Sequence, residues 1–277
     1  MRYLLVFLAL VATPGAAQSE RPSHCIAIAD AMPGAHYVQK ASFRDALDPF
    51  SVRIFYVDHS MFLIQSASGP TAVTDYNGFI GMADFVPDVV TMNNAHNTHW
   101  TSFPDARIPH VLQGWWQDGA PASHRVEVGE MLVRNVTTDT RPSAFAFGSD
   151  EVRADANSVF VFETEGLCIG HMGHLHHEPD DAQYAALGRL DVVMVPVDGG
   201  FTLGTDEVKA MLSRLRSSVV IPMHWFSPQN LDRFLDTMSE DFAIERLNET
   251  SLTVSLRTLP SRPTIMVLRP QFLREPG

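Results

Sequence analysis

Histidine is the residue type whose distribution points to chemistry in this chain. Twelve histidines occur, and they are unevenly spread. His96 and His99 sit in Asp88-Val-Val-Thr-Met-Asn-Asn-Ala-His-Asn-Thr-His-Trp100, just after the apolar run Val89 to Met92. A second group, His171-Met-Gly-His174-Leu-His176-His177, follows a run ending at Ile169, and His224 follows Val219-Val-Ile-Pro-Met223. Neutral imidazole is the commonest metal ligand at physiological pH, and short apolar runs of this kind read as buried strands. Three strands that each end in histidine at one sheet edge would bring those side chains together around a metal.

The rest of the chain supplies the scaffold. Val52, Ile54 and Tyr56 alternate as a half-buried strand does, and strand-sized pieces recur from Met61–Ile64 to Thr264–Leu268. Helices concentrate in the second half. Val208, Met211, Leu212 and Leu215 fall on one helical face behind Asp206 and Glu207. Leu231, Phe234, Leu235 and Met238 repeat that spacing, with Ser227 as N-cap and Pro228 in the first helical position. Asp180 and Asp181 after Pro179 open a further helix, and Cys25 to Met32 has helical spacing ended by Pro33-Gly34. Thr137 to Ala156 is the least patterned stretch and reads as a long loop. Many strands followed by strands alternating with helices imply a layered α/β domain. Neither internal repeats nor low-complexity linkers divide it.

The address and the partners follow from composition. Arg2, the ten apolar residues Tyr3 to Ala12 and the small residues Gly15-Ala16-Ala17 form a secretory leader over residues 1–17, too short to span a bilayer. The expectation is a single domain over residues 18–277, exported to the periplasm or beyond, with no stable membrane anchor. Acidic residues outnumber Lys and Arg by 32 to 20 for a net charge of −12, and no basic run of five occurs, which argues against nucleic acid. A small-molecule substrate fits better; oligomeric state is not legible. Cys25 and Cys168 either form one disulfide in an oxidising compartment or leave a buried free thiol at Cys168.

Several motifs, in order, resemble the metallo-β-lactamase-fold superfamily, in its branch that includes the ascorbate-phosphate lactonases. They are Asp58-His-Ser-Met-Phe-Leu-Ile64, Thr74-Asp75, Asn94-Ala-His-Asn-Thr-His99, Ile169-Gly-His-Met-Gly-His174, and Leu190-Asp-Val-Val-Met-Val-Pro-Val-Asp-Gly-Gly-Phe-Thr-Leu203 running on to Ile221-Pro-Met-His224. The resemblance covers about Val52 to Leu268. It implies a four-layer αββα sandwich with a two-metal site along one sheet edge. The family loop reads His-x-His-x-Asp-His, and here Asn94 and Thr98 stand at its first histidine and its aspartate. His174 stands where the family has the aspartate that bridges both metals. The resemblance therefore leaves His96, His99, His171, His174 and His224 as metal ligands, with Asp75 bracing the loop.

Five histidines suffice for one catalytic site of three protein ligands and an open position, but not for two. Without a carboxylate in the set, zinc suits the donors better than magnesium, calcium or manganese. A zinc ion lowers the pKa of bound water and polarises a carbonyl or phosphoryl oxygen. His59, His176 and His177 are the candidates for a general base. The chemistry expected is hydrolysis of an ester, lactone, amide or phosphoester at a mononuclear zinc site. The alternative is a pseudoenzyme of the same fold that binds metal or ligand without turnover.

Overall fold

In the computed structural model, which describes residues 23–27, 42–96, 98–142 and 151–275, two β-sheets lie face to face. In chain order the helix α1 (His24–Ala27) precedes β1 (Val52–Asp58), β2 (Met61–Ser66), β3 (Thr71–Val73), β4 (Val89–Met92) and β5 (His110–Gln113). Then come β6 (Arg125–Val128), β7 (Met131–Thr140), β8 (Arg153–Thr164), β9 (Leu167–His171), α2 (Asp181–Leu187), β10 (Val192–Pro196) and α3 (Thr205–Leu215). The chain closes with β11 (Val219–Met223), α4 (Pro228–Met238), β12 (Ala243–Arg246), β13 (Ser251–Val254) and β14 (Thr264–Val267). The first sheet runs β13-β1-β2-β3-β4-β5 and the second β12-β14-β11-β10-β9-β8-β7-β6. In the second sheet β9, β10, β11, β14 and β12 are parallel neighbours, and the connections carry the helices.

Side-chain alternation sorts the core into layers. Ile54, Tyr56, Phe62 and Ile64 meet Phe160, Phe162, Met194 and Ile221 between the sheets. Val161, Val193, Val195 and Val220, on the other face of the second sheet, pack on Met211, Leu212, Phe234 and Leu235 of α3 and α4. Complete burial of side chains this large stabilises by roughly 1.5–3 kcal/mol each. The helix starts agree with the sequence: Ser227 caps α4 by accepting from Asn230 N, with Pro228 in its first turn, and Asp180 closes a capping box at α2.

Two expectations need correction. β1 is buried on both faces, because Phe55 and Val57 pack beneath Phe43, Tyr76, Ile80 and Leu273 on the outer side of the first sheet. Even Arg53 is buried there, its guanidinium donating to the carbonyls of Ser42 (3.0 Å) and Asp45 (2.9 Å). The long loop expected over Thr137 to Ala156 is shorter, since β7 continues to Thr140 and β8 starts at Arg153. Asn157, Ser158 and Thr138 look too polar for a core strand but are buried, their side chains satisfied by one another and by backbone. The leader at residues 1–17 and residues 28–32 of the expected N-terminal helix lie outside the described residues. No described helix is long and apolar enough to cross a membrane.

Cys25 and Cys168 are joined in a disulfide, which resolves the choice the sequence left open. It fastens α1 to β9. Beside it, buried Glu163 accepts from Ser23 Oγ (2.6 Å), His24 N (3.1 Å) and Arg134 Nε (2.7 Å). These hydrogen bonds hold the Glu163 carboxyl below its usual range against the opposing effect of burial. The bridge spans 143 residues of sequence, so the double substitution Cys25→Ser/Cys168→Ser is expected to cost about 2–4 kcal/mol. Urea denaturation of wild type and the double variant checks this; equal midpoints would contradict it.

Candidate metal centre

Strand ends converge at one edge of the sandwich, and the backbone turns sharply where the key side chains leave it. His59 in the β1–β2 turn (φ 46), Asp75 after β3 (φ 43) and His224 after β11 (φ 60) all adopt left-handed conformations. Such φ values are unfavourable for non-glycine residues and persist where surrounding contacts over-determine them. Those contacts are visible: His224 N donates to the His59 carbonyl (3.0 Å), which also accepts from Tyr56 Oη (2.5 Å). Asn93 N, at the end of β4, donates to Asp75 Oδ1 (3.0 Å).

This framework brings His59, His99 and His224 together, with one ring nitrogen of each within 4.8 Å of the others. The ring centroids of His59 and His224 are 4.0 Å apart, and those of His99 and His224 5.2 Å. Nε2 of His59 and Nε2 of His99 are buried without a hydrogen-bond partner. Leaving a buried polar atom unsatisfied costs about 1–3 kcal/mol, so two such atoms aimed into one histidine cluster indicate a missing partner. A cation binding there would satisfy both.

Each of two rings is held from behind by a buried carboxylate. Asp75 Oδ2 lies 2.6 Å from His99 Nδ1, with Ser60 Oγ at 3.1 Å, and Asp198 Oδ2 lies 2.8 Å from His224 Nδ1. Asp198 also accepts from Thr202 Oγ1 (2.7 Å), Thr202 N (3.0 Å) and Gly200 N (2.9 Å). Burial alone would raise both carboxyls, but the histidine and amide donors outweigh it, lowering Asp75 and holding Asp198 at about 2. An ionised carboxylate on Nδ1 leaves Nε2 as the coordinating nitrogen, the arrangement that orients metal-binding histidines. Burial, with His224 and His99 close by, pushes His59 down to about 3, and burial likewise lowers His224. Imidazoles held this way offer lone pairs, so the donor set fits a divalent metal ion.

The remaining histidines take other positions. His171 is fully buried and committed on both nitrogens: Nε2 faces the Ser60 carbonyl (2.7 Å), while Nδ1 accepts from Gly173 N (3.2 Å) and faces Asn93 Nδ2 (3.0 Å). It therefore acts as a bracket between β1–β2, β4 and β9 instead of offering a lone pair to the cluster. Gly173 (φ 60) is needed beside it, because a Cβ there would lie 2.5 Å from the Asn93 Cβ. His174 is ringed by His96 (5.4 Å), His99 (4.9 Å) and His224 (5.2 Å), measured between centroids. His96 is exposed, its Nδ1 3.1 Å from Thr98 Oγ1. Asn94 pairs with Asn157 through an isolated antiparallel bridge. His176 contacts His174, and His177 has a buried Nε2 without a partner. Spacing and motif suggest His59 as a base and His171 as a ligand; the structure instead groups the first with His99 and His224 and engages the second elsewhere. The motif Asp58-His-Ser-Met-Phe-Leu-Ile64 marked His59, but nothing in it distinguishes a ligand from a base.

A cavity of about 670 Å³ lies elsewhere. It is lined by Phe50, Glu165, Leu256 and Arg257 at the opposite ends of β1, β8 and β13. Beside the histidines the apolar surface comes from Phe226, 4.7 Å from His224 between centroids, and from Phe201 packed on Phe226 (5.5 Å).

Residues 53–224 match the family model described as "Beta-lactamase superfamily domain". The chain belongs to that superfamily. A UPF0173 metal-dependent hydrolase of Methanoculleus marisnigri is 26% identical over 206 residues, 70% of this chain and 91% of its own length. A second, from Methanoregula boonei, is 24% identical over 175 residues, 60% of this chain and 78% of the relative. The crystal structure of a proposed Zn-dependent hydrolase of the metallo-β-lactamase superfamily from Thermotoga maritima has a TM-score of 0.57 at 27% identity, covering 79% of this chain and 100% of that one.

If the carboxylates act through the rings they hold, Asp198→Asn is expected to weaken divalent-metal binding about 10–100-fold without unfolding the protein. Competition against a chromophoric chelator, alongside a thermal melt, measures both. Unchanged affinity would remove Asp198 from the metal's support.

Proposed function

We propose that this protein is an exported, metal-dependent hydrolase with a single zinc ion held by His59, His99 and His224. The observation that carries the reading is the pair of buried, partnerless Nε2 atoms of His59 and His99, beside a His224 ring backed by Asp198. The curated relatives' names and the Thermotoga maritima structure's title support metal-dependent hydrolysis, and that title supports zinc. The donor set favours zinc independently: three neutral imidazoles and an open position match catalytic zinc sites. When bound, zinc supplies Lewis acidity and a water molecule acidified toward neutral pH.

The protein's own groups do the positioning. Asp75 and Asp198 fix the tautomers of His99 and His224. Phe226 and Phe201, both exposed, border the site with apolar surface. With His59 placed among the ligands and His176 engaged on both nitrogens, His177 is left of the three expected bases, its Nε2 buried without a hydrogen-bond partner. The substrate class is an ester, lactone, amide or phosphoester, and His96 at the exposed rim would meet it first. Export is supported by the leader-like residues 1–17 and by the Cys25–Cys168 disulfide.

The test is metal content and turnover of the mature protein. Zinc loading followed by desalting is expected to leave about one equivalent, as a single three-histidine site requires. Generic ester, lactone and phosphodiester substrates should then be hydrolysed in a zinc-dependent way. Less than a tenth of an equivalent would sink the reading, and zinc uptake with no hydrolysis of any substrate class would favour the pseudoenzyme.

A further inference from the structure

We infer that His174, at the position where the superfamily has its bridging aspartate, is not a metal ligand but a fixed N–H donor to the substrate's reacting oxygen. The inference rests on the metal site proposed above and adds a residue to it. It starts from the main chain. Arg141 N can only donate, and its acceptor is His176 Nδ1 at 2.8 Å. His176 must therefore carry its proton on Nε2. That nitrogen lies 2.6 Å from His174 Nδ1, so His176 donates and His174 accepts. With its Nδ1 lone pair occupied, His174 carries its own proton on Nε2.

The chain of donors is anchored at its start. The Arg141 guanidinium donates to the carbonyls of Gly200 (2.9 Å), Phe201 (2.7 Å) and Thr202 (3.2 Å), the loop that also holds Asp198. Backbone, His176 and His174 thus form one built unit, and both rings are buried. The His174 ring stands edge-on to His99 and His224, at interplanar angles of 83° and 85°. The ring sits among His96, His99 and His224, and a nitrogen already bearing a proton cannot coordinate a metal there. A carboxylate at this position would accept from or bridge cations; an N–H does the opposite and attracts developing negative charge.

With an acyl substrate, the oxygen of water adds to the carbonyl carbon, the carbonyl π pair moves onto the carbonyl oxygen, and the water's proton passes to a base. The pair then returns as the bond to the leaving oxygen or nitrogen breaks, and the leaving group takes up a proton. The carbonyl oxygen is the atom that gains charge, and His174 Nε2–H is placed to donate to it. His176 is a positioning residue that acts only through His174.

Imidazole ¹⁵N–¹H correlation spectra of the histidine-labelled, full mature protein decide the tautomer without reference to activity. His174 signals are identified by their loss in His174→Ala. The expected result is the Nε2–H tautomer for His174 in both metal-free and zinc-loaded protein. A proton on Nδ1, or loss of the Nε2 proton on zinc loading, overturns the inference. In parallel, His174→Ala should keep zinc affinity within about threefold while kcat falls about 10²-fold, the usual effect of removing one such donor. His174→Gln, which retains a terminal N–H, should recover part of that loss. Zinc affinity falling along with kcat would make His174 a ligand. If His174→Ala does not fold, the wild-type spectra, assigned with His174→Gln, still determine the tautomer. A wild-type protein that takes up no zinc defeats the metal reading instead, and the metal-free spectrum then decides the tautomer alone.

Discussion

His99→Ala is expected to abolish both zinc retention and hydrolysis, while His96→Ala leaves zinc affinity within a few fold. The contrast follows from the geometry. His99 is wholly buried, is held by Asp75 and Ser60, and presents a partnerless Nε2. His96 is exposed and makes its hydrogen-bond contact with Thr98. Loss of a directly coordinating nitrogen should exceed the 10–100-fold cost of losing a carboxylate behind a ligand. His171→Ala should behave differently from both. It strips the hydrogen-bond partner from buried Gly173 N, at about 1–3 kcal/mol for a group left unsatisfied, and removes one of two contacts to the Ser60 carbonyl, which keeps Thr74 Oγ1 as a donor. The effect is therefore lower stability, and zinc is lost only so far as the fold is. Isothermal titration with zinc and urea denaturation of the three variants separates these outcomes. Zinc binding that survives His99→Ala but not His96→Ala would contradict the grouping.

The metal-free protein is expected to lose stability steeply as pH falls from about 6.5 toward 3. His59 and His176 are each pushed down to about 3, in both cases chiefly by burial, with His224 and His99 near the first and Arg141 and His177 near the second disfavouring a further positive charge. In the unfolded chain a histidine titrates near 6.5. Above that value neither state is protonated and the groups contribute no pH dependence. Below it the unfolded chain takes up protons that the folded protein does not, so unfolding becomes progressively more favourable until pH approaches 3. Each such histidine adds up to about 1.4 kcal/mol per pH unit within that window, and partly exposed His59 adds less than His176. Thermal melts at constant ionic strength measure the slope. Zinc should shift the transition to lower pH, because metal and protons compete for the same neutral nitrogen. A flat profile between pH 6.5 and 4 would show that these rings are protonated in the folded state.

Much of the fold was legible from side-chain periodicity alone. Strand-sized runs such as Val192 to Val197 and the apolar stripes of α3 and α4 needed no long-range information, and the motifs from Asp58 to His224 placed the chain in its superfamily. Histidines following β4, β9 and β11 do come together in the fold, as the strand-end pattern suggested. What the sequence could not show is which nitrogen of which ring is free. His171 is engaged by Asn93 and Ser60, residues distant in the chain, and the tautomer of His174 is set by Arg141 N. His59 joins the cluster only because a left-handed turn after β1 aims it inward. Spacing records none of this. The two-sided burial of β1 was hidden for a similar reason, since Arg53 looks like a solvent-facing residue until Ser42 and Asp45 supply its acceptors.

The three-histidine site is tested most directly by diffraction from zinc-soaked crystals at the zinc absorption edge. The anomalous difference map should contain one strong peak, about 2.0–2.1 Å from a ring nitrogen of each of His59, His99 and His224. A peak coordinated by His96, His171 or His174, or two peaks of comparable height, would contradict it.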